Sequence, residues 1–132
     1  MIMLRTALLL SPMILGFCDR DESVAAYGAA EQIWVLVEID GQPLSGTTTL
    51  LFPETGRIEG QAPCNSYDGV LNAPYPWFEV TGLSATERAC PDLEAEGTYF
   101  AALMAMTQSE VSGDVLILRN DDGHEMVFKA SE

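Results

Sequence analysis

Thiol and imidazole groups are scarce in this chain, which has three cysteines and one histidine. Cys64 lies in the run Ala-Pro-Cys-Asn-Ser-Tyr-Asp-Gly, 62–69, and Cys90 in Thr-Glu-Arg-Ala-Cys-Pro, 86–91. A cysteine nucleophile needs a base within reach. His124, the sole imidazole, follows the turn signal Asn120-Asp121-Asp122-Gly123 and reads as an exposed, turn-flanking side chain. Structural zinc needs four ligands, usually in close pairs, and two isolated cysteines with one histidine do not supply them. Asp121-Asp122-Gly123 lacks the spaced carboxylates and closing glutamate of a calcium loop. Neither a nucleophile elbow, nor a phosphate-binding loop, nor a paired-histidine zinc motif is present. Twenty acidic residues offer no way to select an acid–base pair. The expectation is therefore no metal, no cofactor and no assigned catalytic residue.

What remains for Cys64 and Cys90 is a disulfide, with two buried free thiols as the alternative. The bond would close a loop of about 27 residues and stabilise by roughly 3.5 kcal/mol on the chain-entropy account. It requires an oxidising compartment, and the N-terminus provides the reason to expect one. Arg5 precedes an uncharged apolar run from Thr6 to Phe17, too short for the ~20 residues that cross a bilayer. A basic start and a short apolar core make residues 1–17 a secretory signal. Leu15-Gly16-Phe17-Cys18 resembles a bacterial lipobox, with Phe17 where a small residue is usual. Cys18 is then the lipidation site, which leaves an even pair of cysteines. Asp19 behind it resembles an inner-membrane retention signal. The competing reading is ordinary secretion with cleavage near Ala26 or Ala30. Residues 18–31 are expected to be a tether and 32–132 the folded domain.

Charge narrows the partners. Net charge is −14, and every acidic residue lies at or after Asp19. Such a domain repels phosphate backbones, so nucleic acid is excluded as a partner. A solvated surface explains the charge most simply, with an acidic face for a basic peptide or cation as the alternative.

The elements that must position these residues are mostly strands. Ile33 to Ile39 is apolar on both faces, as in a central strand. Thr47 to Phe52 alternates, with Thr48, Leu50 and Phe52 on one side. Arg57 to Ala62 points Ile58, Gly60 and Ala62 inward. Further strands are expected at Tyr67–Leu71 and Trp77–Val80, with Pro74-Tyr75-Pro76 as loop between them. One helix follows, from Pro91 to about Met106, with Leu93, Gly97, Phe100, Leu103 and Met104 on its packed face. Val115–Leu118 and Glu125–Lys129 complete a hairpin. Strands without regular helix alternation indicate an α+β fold with an antiparallel sheet.

The chain resembles the META domain family, the HslJ-like proteins. The resemblance rests on Ile33-Trp34-Val35-Leu36 with its Asp40-Gly41 turn, on Leu50-Leu51-Phe52 and on Ile58-Glu59-Gly60. Its most specific parts are Cys64-Asn65-Ser66-Tyr67-Asp68-Gly69, matching C-N-x-Y-x-G, and Thr86-Glu87-Arg88-Ala89-Cys90-Pro91, matching T-x-x-A-C-P. Asn65, Tyr67, Gly69, Thr86 and Pro91 are thus the motif residues beside the two cysteines. The aromatic-proline loop at 74–77 departs from the family's usual polar turn.

This resemblance implies a curved antiparallel sheet, an incomplete barrel, packed on one α-helix. It also implies a bacterial cell-envelope location on the periplasmic side, often as a lipoprotein, and a link to stress responses. The function expected is a noncatalytic envelope module that binds a partner protein or an apolar ligand. Trp34, Phe52, Phe78, Phe100 and Phe128 are the candidate lining of an apolar cleft, with ordinary core as the alternative. Two other readings are a thiol-dependent enzyme using Cys64 and a purely structural periplasmic domain. Asn65 is expected to take left-handed geometry in an architectural corner.

Overall fold

The computed structural model describes residues 22–131. The signal at 1–17, Cys18 and the first residues of the tether lie outside the described residues. Eight strands and one α-helix follow in the order β1 (Trp34–Ile39), β2 (Thr49–Leu50), β3 (Arg57–Gln61), β4 (Ser66–Leu71), β5 (Val80–Ala85), α1 (Leu93–Ala105), β6 (Gln108–Ser112), β7 (Val115–Arg119) and β8 (Glu125–Ala130). They form two antiparallel sheets, ordered β2-β1-β8-β7-β6 and β3-β4-β5. Leu51 and Glu59 join the sheets by exchanging backbone hydrogen bonds of 2.7 and 3.0 Å. The result is the expected α+β fold, a curved surface that does not close into a barrel.

Period-two patterning makes the core. Ile58 and Gly60 of β3, Tyr67, Gly69 and Leu71 of β4, and Leu116 and Leu118 of β7 are buried, while their neighbours are more exposed. In the terminal hairpin Leu116 pairs with Phe128 and Leu118 with Met126, so four inward side chains meet across two strands. Thr48, Leu50 and Phe52 all face inward as their alternation requires, although only Thr49–Leu50 pairs as strand.

Where the sheets meet, backbone replaces side chain. A Cβ on Gly60 would lie 2.1 Å from the Thr49 carbonyl oxygen and 2.8 Å from the Tyr67 hydroxyl. The glycine is what allows β3 to press against the chain at Thr49. A glycine inside a strand commonly marks such a close approach of another backbone.

Four expectations are corrected. Val24–Tyr27 form a 3-10 turn with Val24, Ala25 and Ala29 buried, and the Trp34 indole donates to the Ala29 carbonyl at 3.0 Å. The described part of the expected tether is thus packed into the domain, because these small apolar residues cover one end of the core. Trp77–Val80 is not a strand. Trp77 makes one isolated bridge to Gln108, and the paired strand begins at Val80 and runs to Ala85. The helix starts at Leu93, with Pro91 and Asp92 in the preceding turn. Its buried face is Glu96, Tyr99 and Leu103, with Phe100 half-buried, whereas Leu93 and Met104 are exposed and a Cβ added to Gly97 would meet no neighbouring element within 4 Å. A spacing of three and four selects both faces equally well, and tertiary packing on Tyr67 decides for Tyr99.

These two glycines make opposite demands. Gly60→Ala should lower the urea midpoint by an amount equivalent to about 3 kcal/mol or prevent folding, since the obstructing atom is a backbone oxygen. Gly97→Ala should raise it by an amount equivalent to ~1 kcal/mol, from helix propensity alone.

Candidate functional site

Cys64 and Asn65 form the corner that leads into β4, and Thr86 to Pro91 form the connection from β5 to α1. The structure brings these motif residues together around one buried carboxylate. Glu96, in the first turn of α1, is 4% exposed. Its Oε1 accepts the backbone N–H of Cys64 at 3.0 Å and that of Asn65 at 2.7 Å. Its Oε2 accepts the Asn65 side-chain amide at 2.6 Å. A carboxylate at the helix N-terminus is also favoured by the macrodipole.

Asn65 uses every polar group of its amide. Nδ2 donates to Glu96 and to the Arg88 carbonyl at 3.0 Å. Oδ1 accepts the Thr86 hydroxyl at 2.9 Å and the Arg88 N–H at 2.5 Å. Two donors and two lone pairs are the full capacity of this side chain. Asn65 is not left-handed, since Asp40 is the non-glycine residue with positive φ among the described residues. The asparagine serves as a cross-link between segments rather than as a turn former.

Cys64 and Cys90 are joined by a disulfide with Cα atoms 5.6 Å apart. It ties the same two segments that Asn65 bridges. Tyr67 points inward from β4 and donates its hydroxyl to the Thr49 carbonyl at 2.6 Å. Its oxygen lies 2.5 Å from the Tyr99 hydroxyl. A carbonyl can only accept, so the Tyr67 proton goes to Thr49 and Tyr99 donates to Tyr67. Burial pushes both phenols above their ordinary range. Phe100 packs edge-on against Tyr67, with ring centroids 5.4 Å apart. Gly69 lies in β4 opposite Ile58.

The five aromatics expected to line an apolar cleft do not do so. Trp34, Phe52, Phe78 and Phe128 are at most 2% exposed in the common core, and Phe100 packs against that core. The largest side chains are needed to fill the space between sheet and helix. An open groove lies elsewhere, over β3, β4 and β5 beside Thr49. It measures about 500 Å³ and is lined by polar residues that include Glu59, Gln61, Ser66, Asp68, Ser84 and Thr86. Tyr67 forms part of its floor. Of the groove residues, Tyr67 and Thr86 were marked by the motifs, whereas Tyr99, the role of Glu96 and the acidic groove lining were not singled out by sequence reasoning. A glutamate in the first helical turn reads locally as a dipole partner, and nothing local marks it as the acceptor for a distant corner.

The family model for the META domain matches residues 28–132. The chain belongs to the META domain family. Among solved structures, the fold is similar to the NMR structure of a protein from Burkholderia xenovorans. That match has a TM-score of 0.66 and 23% identity over 99% of each chain. It is also similar to the crystal structure of a DUF4847 family protein from Bacteroides vulgatus, with a TM-score of 0.67 and 13% identity. There the alignment covers 81% of this chain and 96% of that one. No curated protein matches the chain in sequence. The C-N-x-Y-x-G and T-x-x-A-C-P motifs that carried the resemblance are thus two sides of one hydrogen-bonded joint in this META domain.

Away from this joint, Asp40 accepts the Glu125 N–H at 2.9 Å and lies 2.8 Å from His124 Nδ1. The backbone N–H of Glu125, and secondarily the His124 ring, hold the Asp40 carboxyl below its ordinary value. His124 therefore flanks its turn as expected and is tied to a second turn by an aspartate.

Two predictions follow from these geometries. Glu96→Ala leaves three donors without their acceptor and should cost about 3 kcal/mol or more in chemical denaturation. Asn65→Ala should cost a similar amount, and the double variant clearly less than the sum, because both act in one network. For Asp40 the folded carboxyl is the stronger acid. Its contribution is present above the ordinary carboxylate value and is lost as pH falls through the lower folded value. Asp40→Asn keeps a residue tolerant of positive φ. It should flatten the acid limb of a thermal-melt pH profile below about pH 4 while leaving the neutral profile parallel to wild type.

Proposed function

We propose that this META-domain protein is a noncatalytic cell-envelope module, held on the periplasmic side of the membrane through Cys18, that receives a partner protein and acts in the envelope stress response. The observation that carries the reading is the open groove over β3, β4 and β5. It offers hydrogen-bonding side chains and the outer edge strand of a three-stranded sheet. An extended segment of another protein can add to such an edge, with main-chain hydrogen bonds supplying affinity. Glu59 and Asp68 on the groove, with the overall charge of −14, favour a basic segment. A protein partner is preferred over an apolar ligand because the large aromatics of the domain are core. The thiol-enzyme alternative loses support because the candidate nucleophile, Cys64, is bonded to Cys90.

The test is site-specific photo-cross-linking of the full chain in its native envelope. A cross-linker at Ser84 should give a discrete protein adduct that Asp68→Lys abolishes, while one at Asp114, in the β6–β7 turn, should give none. Equal labelling at both positions, or none at Ser84, would favour the purely structural reading. Alkylation of Cys64 in the native protein without reductant would reopen the thiol-enzyme reading.

A further inference from the structure

A second surface carries exposed aromatics. Trp77 is 56% and Tyr27 57% exposed. Tyr27 stacks on Tyr75 with ring centroids 4.3 Å apart and planes 17° from parallel. Tyr75 and Trp77 belong to one tight loop, Pro74 to Trp77, in which the Trp77 N–H donates to the Pro74 carbonyl at 2.8 Å. Two prolines and this hydrogen bond fix the loop, so presenting the rings to a partner costs little ordering.

The loop also marks where the described chain begins. The Tyr75 N–H donates to the Glu22 carbonyl, and the turn carrying Tyr27 follows at once. Cys18 is four residues before Glu22, so a fully extended chain places it no more than ~14 Å away. An anchor at Cys18 would therefore keep Glu22, and the loop hydrogen-bonded to it, within that reach of the bilayer surface. Trp and Tyr rings are the side chains that favour the membrane–water interface, where an apolar ring and a polar tip are both satisfied. The polar zone on each face is itself only about 5–8 Å deep.

We propose that Tyr27 and Trp77, with the half-buried Tyr75 backing Tyr27, form a phospholipid-interface contact that seats the domain on the membrane beside its anchor. The proposal rests on the anchored reading above. It concerns the headgroup zone of a zwitterionic bilayer. Asp19, Asp21 and Glu22 lie close in sequence to Tyr27, and Glu79 to Trp77, and an anionic surface would repel them.

Tryptophan composition makes the test direct. The chain has two tryptophans, Trp34 fully buried and Trp77 exposed. The full chain is purified from membranes and reconstituted into phosphatidylcholine vesicles carrying lipids brominated at defined acyl depths. Flotation reads the anchor, and quenching of tryptophan emission reads the loop. The expected result is co-flotation with a blue-shifted emission quenched by the shallow bromolipid, the shift and quenching both lost in Trp77→Phe. Replacing phosphatidylcholine by phosphatidylglycerol should weaken the quenching, and a strengthening would overturn the aromatic assignment in favour of a charge-driven contact. Co-flotation without quenching overturns the loop contact and leaves the anchor standing. Absence of flotation overturns the anchor and the contact together.

Discussion

The buried carboxylate of Glu96 is the constraint on which the rest of this domain depends. A corner such as Cys64-Asn65 turns its backbone N–H groups away from the ladder of any sheet. Those groups are then withdrawn from water and must find an acceptor. The N-terminal turn of a helix could not supply one, since its carbonyls are already paired within the helix. A carboxylate in its first turn can accept all of them at once, and charge-assisted hydrogen bonds are stronger than neutral ones. The helix, the corner and the β5–α1 connection are thereby fixed in one geometry. The Cys64–Cys90 bond acts on the same segments by a different route. It restricts the unfolded chain, whereas the Glu96 and Asn65 network stabilises the folded one. Neither makes the other redundant.

A similar division holds where the sheets meet. Leu51 and Glu59 provide one pair of backbone bonds, too few to keep two twisted sheets in register by themselves. Gly60 lets the strands approach until the Thr49 carbonyl comes within reach of the Tyr67 hydroxyl, and Tyr99 then completes the chain from the helix side. The joint thus combines one missing side chain, two phenols and the Thr49 hydroxyl, which accepts the Gln61 N–H at 3.0 Å. On the core side of this seam the Tyr67–Tyr99 hydroxyl pair is buried, where a hydrogen bond is stronger than in water.

Much of this was legible in the sequence, and the reasons for the rest are physical. Strands with one buried face announced themselves through alternation, as Arg57–Ala62 and the terminal hairpin show. The two strands that escaped notice, Val80–Ala85 and Gln108–Ser112, are each the edge of a sheet. Each buries a single residue, Val80 or Ser109, and turns the rest wholly or partly towards water, so no alternation marks it. The aromatic run Trp77–Phe78 drew the strand assignment towards itself, although only Phe78 is core. In the helix, Leu93 and Met104 satisfied the apolar spacing yet point outward, because the partner surface contributed by Tyr67 suits a second tyrosine. The roles of Glu96 and Asn65 were hidden for a different reason. They are roles between segments 31 residues apart in sequence, and local pattern contains no record of which distant groups will meet.

The placement of the aromatics also separates the two outer surfaces by their physics. With Trp34, Phe52, Phe78 and Phe128 in the core, the groove over β3–β5 presents carboxylates, hydroxyls and backbone. Any recognition there is electrostatic and hydrogen-bonded, and salt screens it within roughly 8–10 Å. The Tyr27, Tyr75 and Trp77 loop presents ring faces, whose transfer out of water depends on area and responds weakly to salt. A domain of this acidity cannot rely on charge to approach an anionic bilayer. In the proposed arrangement, an aromatic contact beside Glu22 would let the membrane side work without charge and leave the acidic groove free to select a basic partner.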